Sequence, residues 1–138
     1  MRVAWPEYFL GIAQQVATRA TCDRAHVGAV IVRDNRIVAC GYNGAPSGYP
    51  HCDEVGHLMV GGHCLRSIHA EANAIDQARQ IGIDLRGCEM FVTHCPCVTC
   101  AADIVRWQVR KVWFLTGSYT NDESLSILSQ GGVQYEQH

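Results

Sequence analysis

Residues 93–100 read THCPCVTC and place several metal-binding side chain types close together. Cys97 and Cys100 are three positions apart, so both would lie on one face of a helix that begins at Pro96, since proline suits a first helical position. His94 and Cys95 precede that helix and are expected to line a pocket or pack beside it. The cysteine spacing is also typical of a redox pair or of half a structural zinc site, so alone it does not identify a chemistry.

The stretch His69-Ala70-Glu71 lies about thirty residues earlier and is predicted to begin another helix. A metal ion between the two helix starts could be held by His69, Cys97 and Cys100, and the helix dipoles would favour thiolates there. Three protein ligands leave a tetrahedral zinc ion with one open position, as in catalytic sites. Glu71 would then carry protons rather than bind the metal. A structural zinc ribbon would need two CxxC knuckles, and this chain has one.

The elements that position these residues follow from apolar periodicity and turn residues. A helix is predicted over 7–20 and a hairpin over the strands 27–32 and 36–41. In the later part of the chain, predicted helices and strands alternate. The helices are at 69–82, 97–110 and 121–132, and the strands are at 88–93, 111–116 and 133–137. This order predicts one α/β domain over residues 1–138, with a mixed sheet and helices on both faces. The long stretch from Tyr42 to Arg66 is predicted to be a functional or cross-braced loop.

Composition narrows the classes of function. The 138 residues carry a formal net charge of −2, and Lys111 is the one lysine among eleven basic residues. Because proteins that bind nucleic acids usually carry an excess of basic residues, this charge argues against a nucleic-acid partner. No apolar run reaches the length of a membrane span, and the N-terminal stretch does not have the pattern of a signal peptide. Eight cysteines without an export signal indicate a reduced, cytoplasmic compartment and metal binding rather than disulfides.

Four blocks, in order, carry a family resemblance: CDRAHVGAVIV (22–32), GYNGAPSGYPHCDE (41–54), HCLRSIHAEANAI (63–75) and FVTHCPCVTCA (91–101). The chain resembles the cytidine deaminase superfamily, and more closely the deoxycytidylate deaminases, from residue 22 to about 119. H-x-E followed by P-C-x-x-C is typical of zinc deaminases. The resemblance implies a three-layer α/β/α sandwich around a five-stranded mixed sheet. It also implies zinc-dependent hydrolysis of dCMP to dUMP and ammonia, with Glu71 as the catalytic proton carrier.

The same resemblance implies roles for residues around the substrate. Asn43 matches a position that hydrogen-bonds the sugar, and Arg24 and Arg66 lie in matching blocks where a phosphate could be bound. Tyr119 follows a strand at the sheet edge where ligands gather and could stack on the base. The alternatives are a turn residue for Asn43, surface salt bridges for the arginines and core packing for Tyr119.

Some relatives carry a second, structural zinc, and its expected ligands here are Cys22, Cys52, His57 and Cys64. A bound ion would hold the long loop in one shape. Relatives often have cysteine where this chain has His57. The alternative is buried free cysteines with solvent-exposed histidines. Cys40 and Cys88 lie in predicted strands and are expected to be core residues.

The resemblance also implies regulation and assembly. Many such enzymes are hexamers activated by dCTP with Mg²⁺ and inhibited by dTTP, and the allosteric nucleotide pocket is expected around Tyr42, Asn43, Gly44 and Gly48. Other zinc deaminases, which act on free cytidine, guanine or a tRNA adenosine, remain alternatives, as do a zinc-stabilised binding module and an inactive nucleotide sensor. Because Glu71 and all three candidate zinc ligands are present, catalysis is favoured.

Overall fold

The computed structural model describes residues 2–22, 25–45, 48–60, 63–64, 68–115, 117 and 119–138; for Cys52, Asp53, Val60, His63 and Cys64 it describes the backbone alone. The helices are α1 (Trp5–Ala17), α2 (Cys52–Val55), α3 (Ala70–Gln80), α4 (Val98–Arg106) and α5 (Asp122–Gln130). The strands are β1 (Gly28–Arg33), β2 (Arg36–Tyr42), β3 (Met59–Val60), β4 (His63–Cys64), β5 (Glu89–Val92), β6 (Lys111–Phe114) and β7 (Gln134–Gln137).

Five of the strands form one mixed sheet in the order β2-β1-β5-β6-β7. β1 pairs antiparallel with both β2 and β5, whereas the β5–β6 and β6–β7 pairs are parallel. The tight β1–β2 turn needs left-handed backbone, which Asp34 and Asn35 adopt with φ of 51° and 61°. The prediction of a five-stranded mixed sheet is confirmed.

Helices cover both faces of this sheet, as predicted. On one face, Phe9, Leu10 and Ala13 of α1 pack against Val30 and Phe91 of the sheet. On the other face, α3, α4 and α5 bury a larger core that includes Ala74, Ile104, Leu128, Met90 and Phe114. The result is a three-layer α/β/α sandwich. No helix in the described part of the chain combines the length and the apolar character that crossing a membrane requires.

Several predicted helix boundaries are wrong. α1 occupies 5–17 rather than 7–20, and α4 begins at Val98 with Cys97 as its N-cap, so that Pro96 precedes the helix rather than starting it. α4 also ends at Arg106 rather than at residue 110, because Gln108 has φ of 61° and the Val109 N–H donates back to the Ile104 carbonyl. The predicted loop 42–66 contains α2 and the β3–β4 hairpin, which are too short to show a periodicity.

Gly41 lets α3 lie directly against β2, and its replacement is a test of that packing. A Cβ at Gly41 would lie 2.5 Å from the Ala74 backbone nitrogen and 2.6 Å from the Ala70 carbonyl oxygen. We therefore expect Gly41→Ala to lower the free energy of unfolding by about 3 kcal/mol or more, because α3 must move as a unit. Urea denaturation with circular dichroism measures this change.

Gly11 provides the matched control, because it lies within α1 and an added Cβ would meet no atom within 4 Å. Gly11→Ala is expected to raise the free energy of unfolding by about 0.5–1 kcal/mol, since alanine loses less backbone entropy in a helix. Equal effects of the two substitutions would contradict the close contact between α3 and β2.

Candidate active site

The three candidate metal ligands converge where α3 and α4 begin. His69 is the N-cap of α3 and Cys97 is the N-cap of α4, while Cys100 lies in the first turn of α4. The His69 Nδ1 atom is 3.3 Å from Cys100 Sγ and 3.5 Å from Cys97 Sγ. The three ligand atoms all lie within 4.8 Å of one another. The chain thus brings together residues about thirty positions apart, as the sequence predicts.

This donor set fits zinc. With Zn–S of about 2.3 Å and Zn–N of about 2.0 Å, a tetrahedral ion separates its nitrogen and sulfur ligands by roughly 3.5 Å. The two nitrogen–sulfur distances, 3.3 and 3.5 Å, are close to that value. Among the described residues, no other group of three or more histidine, cysteine or acidic side chains has a geometry that could hold a metal. Three ligands leave one tetrahedral position for a reacting water.

The protonation of the three side chains prepares the site for a cation. The Cys100 thiol and the His69 ring hydrogen-bond to the Cys97 thiolate and lower the pKa of Cys97 to about 3. The hydrogen bond to Cys97, and then burial, raise the pKa of Cys100. The hydrogen bond with Cys97 also raises the pKa of His69. A zinc ion would replace the protons that these groups share, so its binding releases protons.

Glu71 is the one acidic residue in the first turn of α3, and its side chain is buried, with 5% exposure. Burial raises the pKa of Glu71 to about 7, with the Cys97 thiolate adding to the effect. A divalent cation at the neighbouring ligands would lower this pKa again. Glu71 is not part of the three-ligand group. A buried carboxyl beside a metal centre is well placed to accept a proton and return it.

Asn43 is buried and its amide is used by the protein's own backbone. Its Oδ1 accepts from the Val27 N–H at 2.7 Å, and its Nδ2 donates to the Ala25 carbonyl at 2.7 Å. The side chain therefore holds the segment before β1 in place. Tyr119 is 85% exposed, which excludes the core-packing alternative. The predicted phosphate ligands Arg24 and Arg66 lie outside the described residues.

The predicted second zinc site is described in part. Cys22 is buried, and its Sγ lies 3.4 Å from Nδ1 of His57. The side chains of Cys52 and Cys64 lie outside the described residues.

Two other cysteines test the core prediction. Cys88 is fully buried, as predicted, whereas the prediction for Cys40 is wrong: it is exposed on the edge strand β2. Successive side chains of a strand point to opposite faces, so Cys40 points away from the core while its neighbour Ala39 is buried.

The expected effector loop is hydrogen-bonded to α3 and to the residue before its N-cap. Gly44 and Ile68 exchange two backbone hydrogen bonds, of 3.1 and 2.8 Å, and Ile68 directly precedes His69. Asn73 of α3 donates to the Tyr42 carbonyl at 2.8 Å. Gly48 has φ of 86°, a conformation that favours glycine.

One residue beside the metal ligands has a role that sequence reasoning missed. The sequence marks Thr93 only as the end of a strand, but its buried hydroxyl accepts from the Gly28 N–H at 3.2 Å and lies 2.7 Å from His94 Nδ1. No sequence pattern around a threonine at the end of a strand predicts the contact between its hydroxyl and His94.

Comparison with known proteins extends this picture. The family model described as the cytidine and deoxycytidylate deaminase zinc-binding region matches residues 3–116. ComE operon protein 2 of Bacillus subtilis is 41% identical over 136 residues, which cover 99% of this chain and 72% of that protein. The deoxycytidylate deaminase of Mycobacterium phage D29 is 37% identical over 123 residues, covering 80% of this chain and 94% of the phage protein. Two fungal deoxycytidylate deaminases also match, and the chain spans slightly less than half of their length.

A solved structure supports the same assignment. The dCMP deaminase of cyanophage S-TIM5, in complex with dCMP and dUMP, superimposes with a TM-score of 0.85 at 28% identity, covering 100% of this chain and 99% of that one. The match to the family model spans most of the chain and includes His69, Glu71, Cys97 and Cys100. The chain therefore belongs to the family of zinc-binding cytidine and deoxycytidylate deaminases.

Proposed function

We propose that this protein catalyses the hydrolytic deamination of dCMP to dUMP and ammonia. The observation that carries the proposal is the convergence of His69, Cys97 and Cys100 beside the buried carboxyl of Glu71. The choice of dCMP is supported by the phage deaminase, which resembles this chain over its whole length and is described with dCMP and dUMP bound.

Glu71 performs the proton transfers in this proposal. A zinc ion bound by the three ligands would supply the Lewis acidity that makes water a nucleophile near neutral pH. Glu71 takes a proton from the water that adds to C4 of cytosine and delivers it to N3. Glu71 then takes the remaining proton of the C4 hydroxyl and gives it to the C4 amino group, so that the C4 carbonyl forms, the C–N bond breaks and ammonia leaves. The burial of the Glu71 side chain limits the competition of bulk solvent for that proton.

A panel of substrates tests the proposal. Ammonia release is measured on dCMP, CMP, deoxycytidine, guanine and a tRNA stem-loop with the zinc-loaded protein. We expect kcat/KM to be highest for dCMP, by at least about tenfold over deoxycytidine, because a site that binds a charged group discriminates strongly against its absence. Activity confined to a nucleoside, to guanine or to the RNA would overturn the substrate assignment.

We also propose the second, structural zinc on Cys22, Cys52, His57 and Cys64. The 3.4 Å approach of Cys22 Sγ to His57 Nδ1 supports it, because a shared metal ion would hold these two atoms at this separation. Elemental analysis is expected to give two zinc ions per chain in the wild type and one in a Cys22→Ala, His57→Ala variant. One ion per chain in the wild type would contradict the proposal.

Regulation by nucleotides is a further part of the proposal. We infer that dCTP with Mg²⁺ activates and dTTP inhibits through the loop of Tyr42, Asn43, Gly44 and Gly48, in a hexameric, cytoplasmic protein. The support is the pair of backbone hydrogen bonds between Gly44 and Ile68, which connects this loop to the metal ligand His69. Turnover of dCMP with and without each effector, together with light scattering, tests both statements. Unchanged rates would contradict the regulation.

A further inference from the structure

A cleft of about 370 Å³ is lined in part by His94, three residues before the candidate metal ligand Cys97, and neither the mechanism nor the metal site uses it. It lies between the end of α1, the segment before β1 and the residues that follow β5 and β6. Two imidazoles and one carboxamide line it, from His26, His94 and Gln14, together with Thr93. The described residues that line it include no carboxylate, so the polar groups favour an anionic ligand.

His94, which lines this cleft, lies no farther from Cys97 than the length of one bound nucleotide. Thr93 directly follows β5, and His94 is only three residues before Cys97. Three residues of extended chain reach at most about 11 Å. A ligand whose base lies at Cys97 and Cys100 can therefore place a substituent of its sugar against His94. This is also the carboxyl end of the parallel strands β5 and β6, where open α/β sheets bind ligands.

A hydrogen-bond relay fixes the tautomer of His94. The Thr93 hydroxyl accepts from the Gly28 N–H at 3.2 Å, and the same oxygen is 2.7 Å from His94 Nδ1. Thr93 is buried, so its O–H requires an acceptor, and the Nδ1 atom is the one in contact. Thr93 therefore donates to Nδ1, and the ring proton lies on Nε2.

The environment also favours the neutral ring, since partial burial lowers the pKa of His94. His94 is nevertheless exposed to solvent on the cleft side of the fold. It therefore presents a single oriented N–H donor, while His26 offers a second ring to the same cleft. A phosphate monoester has three acceptor oxygens and accepts such donors readily.

From these observations we propose that His94, oriented by Thr93 and aided by His26, binds the 5′-phosphate of the substrate and so makes the enzyme select nucleoside monophosphates over nucleosides. This inference rests on the proposed deamination of dCMP and names the residues that recognise its phosphate. His94 and His26 are ligand-contacting residues, and Thr93 is a positioning residue.

Kinetics of His94→Asn on dCMP and on deoxycytidine provide the main test. We expect kcat/KM for dCMP to fall about 10- to 100-fold, chiefly through KM, because a hydrogen bond to a charged group is lost. The value for deoxycytidine, which has no phosphate, should change less than about threefold. The exposed Arg86 precedes β5, at the opposite end of that strand from Thr93, and supplies the control: Arg86→Gln should change neither value. Equal losses on both substrates, or no loss on dCMP, would overturn the proposal.

Thr93 variants and a binding measurement separate positioning from simple structural damage. Thr93→Val removes the hydroxyl at constant shape and should raise the KM for dCMP. Thr93→Ser keeps a hydroxyl and should have a KM near the wild-type value. Nitrogen-15 spectra of the imidazoles should show the Nε2–H tautomer of His94 in the wild type and a mixture in Thr93→Val.

Titration with inorganic phosphate in the tens-of-millimolar range should shift the His94 signals in the zinc-loaded protein. Signals that do not move would contradict the phosphate site. The titration does not depend on turnover, so it tests the phosphate site separately from the reaction. Ammonia release from another base alone would overturn the proposed function but not the phosphate site.

Discussion

Glu71→Gln is expected to lower kcat for dCMP by at least about 10³-fold while zinc stays bound. General acid–base catalysis typically contributes 10²- to 10⁴-fold, and here one side chain is proposed to make more than one proton transfer. The amide keeps the shape of the carboxyl but cannot take up a proton from water. Because Glu71 is buried and burial disfavours its charged form, the amide should leave the unfolding temperature unchanged or raise it.

Rates of ammonia release, zinc content and thermal unfolding of the same preparation test this prediction together. Asp76→Asn is the matched control, since Asp76 is an exposed carboxylate on the same helix. It should retain wild-type turnover. If Glu71→Gln deaminated dCMP at an appreciable rate with zinc bound, Glu71 would not be the proton carrier.

Cys100→Ala is expected to remove the catalytic zinc and with it all measurable deamination. Two remaining ligands cannot hold a catalytic zinc ion tightly, and without it the attacking water keeps its usual pKa of about 15.7. The variant should also lose the stabilisation that zinc gives the folded protein, about 2.7 kcal/mol when free zinc is at 100 times its dissociation constant. A chelator should reproduce both effects in the wild type, and added zinc should reverse them there.

Cys88→Ala provides the control for the loss of a buried sulfur. Cys88 is as completely buried as any residue of the core, but it lies just before β5, at the opposite end of that strand from the metal ligands. The variant should lose some stability from the cavity and keep both its zinc and its turnover. Full activity of Cys100→Ala without bound zinc would refute the assignment of the metal centre.

Much of the fold and of the metal centre can be predicted from the sequence because both depend on local patterns. The alternation of strands and helices predicts the mixed sheet and its covered faces. The metal centre is predicted because the H-x-E and P-C-x-x-C patterns each place metal-binding side chain types at a fixed short spacing.

The remaining features depend on contacts that no short pattern records. α4 ends at Arg106 without a glycine, because Gln108 takes the left-handed conformation that glycine usually supplies. The exposure of Cys40 depends on β2 being the edge of the sheet, which is a property of strand order. The cleft with His26 and His94 joins segments that meet only when β1 pairs with β5.

The two helices that carry the chemistry also begin in a way that limits how stable this protein can become. His69 and Cys97 occupy the N-cap positions of α3 and α4, and neither side chain caps its helix, whereas Asn121 caps α5 with a 3.0 Å bond to the Ser124 N–H. A serine, aspartate or asparagine at either position would contribute about 1 kcal/mol. Substitutions that stabilise the metal-free protein would therefore fall at the two positions that the proposed activity needs for metal binding. The two helix starts are weak because their N-cap positions carry candidate metal ligands instead of capping side chains.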